Sequence, residues 1–184
     1  TKIKGASHKV IQFIGDLLTL ENFKSDFTGD EVYCCIGTTT KKTPDKELYR
    51  KIDFGIPATA AKLAKQNNIS TFLVVSAMGA NTKSNIFYNK TKGEMEREVL
   101  QQNIKYTAIL RPSLIGGDRN EQRILEKIGL VIFKALQPLL IGPLKQYRII
   151  YAEEIAQAMV NLANNTSNAE VIITSNDIKQ LVKK

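Results

Sequence analysis

The stretch SNIFYNKTKGEMEREV, residues 84–99, sets a phenol and an amine four residues apart, as Tyr88-x-x-x-Lys92. In a helix that spacing puts both on one face, one turn apart. A lysine ammonium beside a phenol favours the phenolate and lowers the tyrosine pKa from its reference of about 10. A tyrosine so tuned can pass a proton to or from an alcohol or carbonyl oxygen near neutral pH. Ser76, at the end of the apolar run STFLVVSA just upstream, could hold the same oxygen by a hydrogen bond. Taken alone, the pair is more often an aromatic and a surface amine that share a helical face by chance.

The elements around the pair must give it a place to work. Strand-like and helix-like segments alternate, the pattern of an α/β fold with a mainly parallel sheet. KVIQFIG, residues 9–15, reads as a first strand and DLLTLENFKSDFTG as a short helical connection. DEVYCCIG, residues 30–37, is an almost unbroken apolar run ending in glycine, as in a strand buried on both faces. KELYRKIDFGIPATAAKLAKQNNI reads as one long helix or two abutting ones. Pro57 would kink it or open the second, and Ala58, Ala61 and Ala64 would let it approach the sheet.

STFLVVSA is the next buried strand, the Tyr88 helix runs to about Gln102, and YTAILRPS is a further strand. Residues 121–140 read as an unusually apolar helix through Ile124, Ile128, Val131, Ile132 and Ala135. AEEIAQAMVNLANN is amphipathic through Ile155, Ala158, Met159 and Leu162. EVIITSND closes with a short strand, Asp177 capping a last helical turn.

Composition narrows the classes. A chain of 184 residues with 43% apolar and 24% charged content is that of one ordinary globular domain, residues 1–184, with residues 118–184 contributing the substrate side. No run reaches the roughly 18 apolar residues of a membrane helix, so no membrane partner is expected. Cys34 and Cys35 are adjacent and would point to opposite faces of a strand, so they read as packing residues of a reducing, cytoplasmic protein rather than a disulfide. With the single histidine, His8, reading as a solvated loop residue, no metal site is expected. The net charge of +8 comes from lysines scattered along the chain, which argues against nucleic acid as the partner.

In open parallel sheets ligands bind beyond the carboxyl ends of the strands. There the sequence sets Gly15-Asp16-Leu17, Gly37-Thr38-Thr39, Ser76-Ala77-Met78-Gly79 and Arg111-Pro112-Ser113-Leu114-Ile115-Gly116-Gly117. Small and hydroxyl residues recur at this edge, where backbone must come close to a ligand.

With Ser76 and Tyr88-x-x-x-Lys92 in this order, the chain resembles the short-chain dehydrogenase/reductase superfamily, and within it the atypical, Tat-interacting-protein-like oxidoreductase branch. The stretches that carry the resemblance are CCIGTT, VVSAMGANTKSNIFYNKTKGEMEREV, ILRPSLIGG and, more weakly, RIIYAEEIAQAM. The resemblance implies a Rossmann-like, doubly wound α/β fold with a mainly parallel sheet and helices on both faces, and a nicotinamide cofactor, NADP or NAD with NADP favoured. It implies Tyr88 as general acid/base, Lys92 as the group that lowers its pKa and holds a nicotinamide ribose hydroxyl, and Ser76 as the residue that orients the substrate oxygen. Asp16 would touch the adenine with Leu17 packed beside it, though Asp16 is equally a helix N-cap. Gly37 and Thr38 would line the cofactor, and Pro112 and Ile115 would pack by the nicotinamide.

One departure stands out: the family's glycine-rich phosphate loop is absent, since TKIKGASHK holds one glycine. The N-terminal strand and that loop are therefore expected to be missing from this stretch. The leading expectation is an NAD(P)-dependent oxidoreductase of a small, apolar carbonyl or alcohol. The alternatives are a dinucleotide-binding regulatory or scaffold protein, an RNA-binding Rossmann protein and a sugar-nucleotide epimerase, for which the length leaves little room. The apolar segment 121–140 serves the substrate side or, in the other reading, the face of a homodimer.

Overall fold

The computed structural model describes residues 3, 5, 7–116, 140–165 and 170–183. Its strands are β1 (Glu31–Cys34), β2 (Thr71–Val75), β3 (Tyr106–Arg111), β4 (Ile115–Gly116), β5 (Ile150–Tyr151) and β6 (Glu170–Thr174). Four of them form a parallel sheet in the order β1-β2-β3-β6, and β4 pairs with β5 in a small parallel ladder.

Period-two alternation sends successive side chains of each strand to opposite faces, so these apolar runs feed two cores. On one face Cys34, Phe72, Val74 and Ile109 meet Ala60, Ala61 and Ala64 of helix α2 (Ile56–Gln66) and Met95 and Val99 of helix α3 (Phe87–Gln101). On the other, Leu73, Ala108 and Leu110 meet Ile155, Ala158, Met159 and Leu162 of helix α4 (Ala152–Asn164) and Ile178 of helix α5 (Ser175–Leu181). Each fully buried Leu, Ile, Val or Phe contributes about 1.5–3 kcal/mol. Helices on both faces of a parallel sheet make the fold α/β and Rossmann-like, as the alternation of segments and the resemblance predict. At the C-terminal end, the Thr174 hydroxyl accepts from Asp177 N while Asp177 accepts from Thr174 N, a reciprocal cap that opens α5.

The long helical stretch is continuous but not uniform. Helix α1 (Lys46–Arg50) starts at Asp45, whose carboxylate accepts from Leu48 N at 2.6 Å. It runs through one wide π turn, Lys51–Gly55, into α2. Pro57 cannot donate to the carbonyl one turn earlier, that of Asp53, and the wide turn takes up this loss. The small residues buried on α2 are Ala60, Ala61 and Ala64, while Ala58 is only half-buried.

Two expectations change. Residues 9–15 form no strand, and Val10, Ile11, Phe13 and Ile14 are exposed. A strand is made by its neighbour's hydrogen bonds, and among the described residues none pairs with the outer edge of β1. The expected connection is a 3₁₀ segment, Leu17–Phe23, held on α2 by an ion pair of Glu21 with Lys62 at 2.9 Å. The apolar segment expected at 121–140 lies, save Leu140, outside the described residues.

Candidate active site

Helix α3 starts just before Tyr88, so Tyr88, Lys92 and Glu96 follow one another at successive turns. Gly93 lets this helix press on the loop before it, since a Cβ there would lie 2.4 Å from the backbone of Asn81 and Thr82. The helix thereby delivers Lys92 beyond the carboxyl end of β1, beside Gly37 and Thr38.

At that end Lys92 and Asp53 are both buried, and Lys92 Nζ stands 3.0 Å from Asp53 Oδ1. The second carboxylate oxygen of Asp53 accepts from Thr38 N at 2.7 Å. One side chain from the π turn thus ties the strand-end turn to the lysine. Gly37 permits this closeness, because a Cβ there would sit 3.3 Å from Asp53 Oδ1 and 3.8 Å from Lys92 Nζ. Thr38 Oγ1 and Thr43 Oγ1 share a hydrogen bond of 2.9 Å, and Tyr49 of α1 packs edge-on against Phe87.

The electrostatics differ from those the sequence predicts. The Tyr88 phenol lies above its ordinary pKa, pushed up by burial and then by the Asp53 carboxylate. The lysine that should favour a phenolate has a carboxylate of its own, which offsets its charge. Tyr49 is raised likewise, by burial and then by Asp53 and Tyr88. Tyr88 nonetheless keeps 38% of its surface exposed, so a ligand can reach it.

Ser76 has another partner. It is 4% exposed and donates its hydroxyl proton to Glu96 Oε1 at 2.5 Å. Glu96 is held by Arg111 at the end of β3, with Nε at 2.9 Å from Oε1 and a terminal nitrogen at 2.5 Å from Oε2. Ser76 therefore serves a buried carboxylate rather than standing free beside Tyr88. An open groove of about 750 Å³ runs along this side of α3, lined in part by Asn81, Arg97 and Arg111.

Among the other expected cofactor residues, Asp16 acts as the N-cap of the 3₁₀ segment, accepting from Leu18 N at 2.9 Å, and Leu17 lines a pocket of about 270 Å³ with Phe13 and Phe23. Pro112 accepts from Met78 N at 3.1 Å, which joins the ends of β2 and β3, and Ile115 lies half-buried in the ladder with β5. The strand-end edge therefore gathers Gly37, Thr38, Lys92 and Asp53, with Tyr88 one turn from Lys92. The nicotinamide end of a dinucleotide suits this set: glycine backbone, hydroxyls, and an ammonium with three donors. No glycine-rich turn supplies a pyrophosphate seat among the described residues.

Asp53 and Glu96 are absent from the sequence expectations, and Arg111, which stands there only as a strand-end residue, is found to be the partner of Glu96. Glu96 had a signal, since Lys92, Met95, Glu96 and Val99 share the inward stripe of α3 and a carboxylate there needs a partner. Asp53 had none beyond its position four residues before Pro57. Of the two cysteines, both free, Cys34 is buried as expected of a packing residue, whereas Cys35 is exposed and does not pack as expected, because neighbouring positions on an extended chain face opposite ways. His8 is exposed, as expected.

No protein-family model matches the chain. Protein FMP52, mitochondrial, of Candida glabrata is 30% identical to it over 173 residues, covering 90% of this chain and 72% of its own length. The chain belongs to the FMP52 family. The Candida albicans FMP52 protein is 41% identical over 102 residues, 55% of this chain and 44% of its own length. FMP52-1 of Scheffersomyces stipitis is 32% identical over 135 residues, 73% of this chain and 59% of its own. The chain thus spans about half the length of these two FMP52 relatives.

Among solved structures, the FMP52-family chain resembles UDP-glucose 4-epimerase of Thermotoga maritima, with TM-score 0.65 and 14% identity over 99% of this chain and 70% of the other. It also resembles the Bordetella bronchiseptica enzyme WbmH in complex with NAD+, with TM-score 0.64 and 16% identity over 97% of this chain and 66% of that one. Identities so low establish the Rossmann-like fold alone. The curated relatives are FMP52 proteins and do not single out the Tat-interacting-protein-like branch. Their names place them in mitochondria, which overturns the cytoplasmic expectation. MoeE5, WbmH and WbmG, also similar in fold, are solved in complex with NAD, and the expected preference for NADP finds no support in them.

Proposed function

We propose that this FMP52-family chain forms the nicotinamide-binding part of a mitochondrial oxidoreductase of the short-chain dehydrogenase/reductase type, in the Tat-interacting-protein-like branch. The observation that carries the reading is the buried Lys92–Asp53 pair at the strand-end edge of a parallel sheet, one helical turn from a partly exposed Tyr88. When bound, the cofactor supplies or takes hydride, and the chain's residues manage the proton. Tyr88 passes that proton to or from the substrate oxygen. Lys92, with donors beyond the one turned to Asp53, holds a ribose hydroxyl, and Gly37 and Thr38 line the cofactor beside it. Pro112 and Ile115 bound the nicotinamide side, and Asp16 and Leu17 the adenine side. The substrate is a small apolar carbonyl or alcohol, and residues 118–184 contribute the side that meets it.

A second reading is favoured by one observation. Ser76, the expected holder of the substrate oxygen, gives its proton to Glu96, as suits a dinucleotide-binding regulatory or scaffold protein with little turnover. Titrating NADH and NADPH into the protein, followed by cofactor fluorescence, tests the shared premise. Saturable binding with turnover that disappears in Tyr88→Phe is expected for the enzyme. Binding without turnover over a broad carbonyl panel selects the regulatory reading, and no binding of either nucleotide removes both.

A further inference from the structure

We propose that Asp53 is the positioning residue of this site: by pairing with the Lys92 ammonium it keeps Tyr88 a neutral phenol, so the site donates a proton to a substrate carbonyl rather than taking one from an alcohol. The proposal rests on the oxidoreductase reading and narrows its substrate class to carbonyl compounds.

Geometry carries the argument. A lysine acts on a neighbouring phenol through its charge, and a charge is felt beyond its pair only to the extent that the pair leaves it unbalanced. Lys92 and Asp53 are 4% and 1% exposed and 3.0 Å apart, so little solvent lies between to loosen the pair. The other oxygen of Asp53 is fixed by Thr38 N at 2.7 Å, so the carboxylate cannot swing away.

The groups placed around Tyr88 agree. Lys92 lies one turn along its own helix. Burial and then Asp53 from the π turn resist the ionisation of Tyr88, and Tyr88 in turn helps to hold the Tyr49 phenol of α1 neutral. Lys46 of α1 sits over the Phe87 ring at 5.7 Å, and Arg50 of α1 is paired with Glu94 of α3. Cys34 of β1, near Lys92, is a neutral thiol, its pKa pushed up to about 11 by burial. Lys90, two residues from Tyr88, projects from a different side of α3, so the cation on the Tyr88 face one turn on is the one Asp53 neutralises.

A reduced nicotinamide, which Lys92, Gly37 and Thr38 would hold, would supply the hydride, two electrons and one hydrogen, to the carbonyl carbon. The chain's part is the proton. As the C=O π bond opens, the Tyr88 O–H bond breaks and a new O–H bond forms on the substrate oxygen. The phenolate then recovers its proton from water at its exposed edge. The reverse step, alcohol oxidation, requires the phenolate first and should therefore quicken as the pH rises.

The test is a phenol titration followed by carbon-13 NMR of tyrosine labelled at the ring carbon bearing the hydroxyl, with the Tyr88 signal assigned by its loss in Tyr88→Phe. It uses the protein without cofactor, so it does not depend on activity. In the native protein Tyr88 should stay protonated throughout the neutral range. In Asp53→Asn, which keeps the shape but leaves one acceptor oxygen to serve either Lys92 or Thr38 N, its proton affinity should fall about tenfold or more. Should Asp53→Asn not fold, Lys92→Met carries the test, because the unbalanced carboxylate should raise the Tyr88 proton affinity. A Tyr88 midpoint unmoved in whichever of these variants folds overturns the proposal. So does a native Tyr88 that is already phenolate near neutral pH. Dinucleotide binding, measured separately, keeps the two ideas apart. Lost binding with a shifting phenol removes the oxidoreductase reading, whereas intact binding with an unmoved phenol removes only the role of Asp53.

Discussion

Glu96 accepts the hydroxyl proton of Ser76 at 2.5 Å while Arg111 grips both of its oxygens. A carboxylate 4% exposed is tolerable only because three donated hydrogen bonds replace its water. The triad joins the end of β2, the end of β3 and the middle of α3, so it braces the loops that frame the candidate site.

Removing the Arg111 head group leaves Glu96 buried without a counter-charge. Arg111→Met should lower the unfolding free energy by about 2 kcal/mol or more, read from urea denaturation. Ser76→Ala removes one hydrogen bond to a charged group and should cost about 1.5–3 kcal/mol. It should leave dinucleotide binding intact. A fall in turnover as deep as that of Tyr88→Phe would show that Ser76 meets substrate after all.

Tyr88→Phe keeps the ring and deletes the proton. Turnover should fall roughly a hundred- to ten-thousand-fold while NADH affinity is retained, as steady-state rates and a fluorescence titration would show.

Gly93→Ala places a methyl 2.4 Å from the Asn81 and Thr82 backbone, which cannot yield as a flexible side chain would. The variant should be destabilised by about 1–3 kcal/mol. Because the same contact seats α3, it should also weaken dinucleotide binding, and thermal unfolding with a parallel titration checks both.

The two cysteines should separate chemically. At neutral pH a thiol-alkylating reagent should modify exposed Cys35 first and reach Cys34 only on unfolding, as peptide mapping by mass spectrometry would show. An ordinary thiol ionises near pH 9.0, and burial moves the folded Cys34 thiol to about 11. Its contribution to stability is therefore complete below pH 9.0 and fades as the pH rises through 11. Cys34→Ser should flatten this alkaline loss, measured by denaturation across that range.

The order of elements and the pairing of Tyr88 with Lys92 on one helical face were legible in the sequence, because both follow from local rules. Unbroken apolar runs such as FLVV and AILR make strands buried on both faces, and a four-residue spacing makes neighbours on any helix. What the residues do there is a long-range matter. Residues 9–15 have the composition of a strand and form none, since a strand exists only where another offers its edge. Lys92 looks like a free cation until the fold brings Asp53 from the π turn to within 3.0 Å, and Ser76 looks like a free hydroxyl until Glu96 and Arg111 converge on it. Partners so far apart along the chain leave no periodicity to detect. Residue types and spacings therefore determined which groups could do chemistry, and tertiary packing decided their burial and their partners.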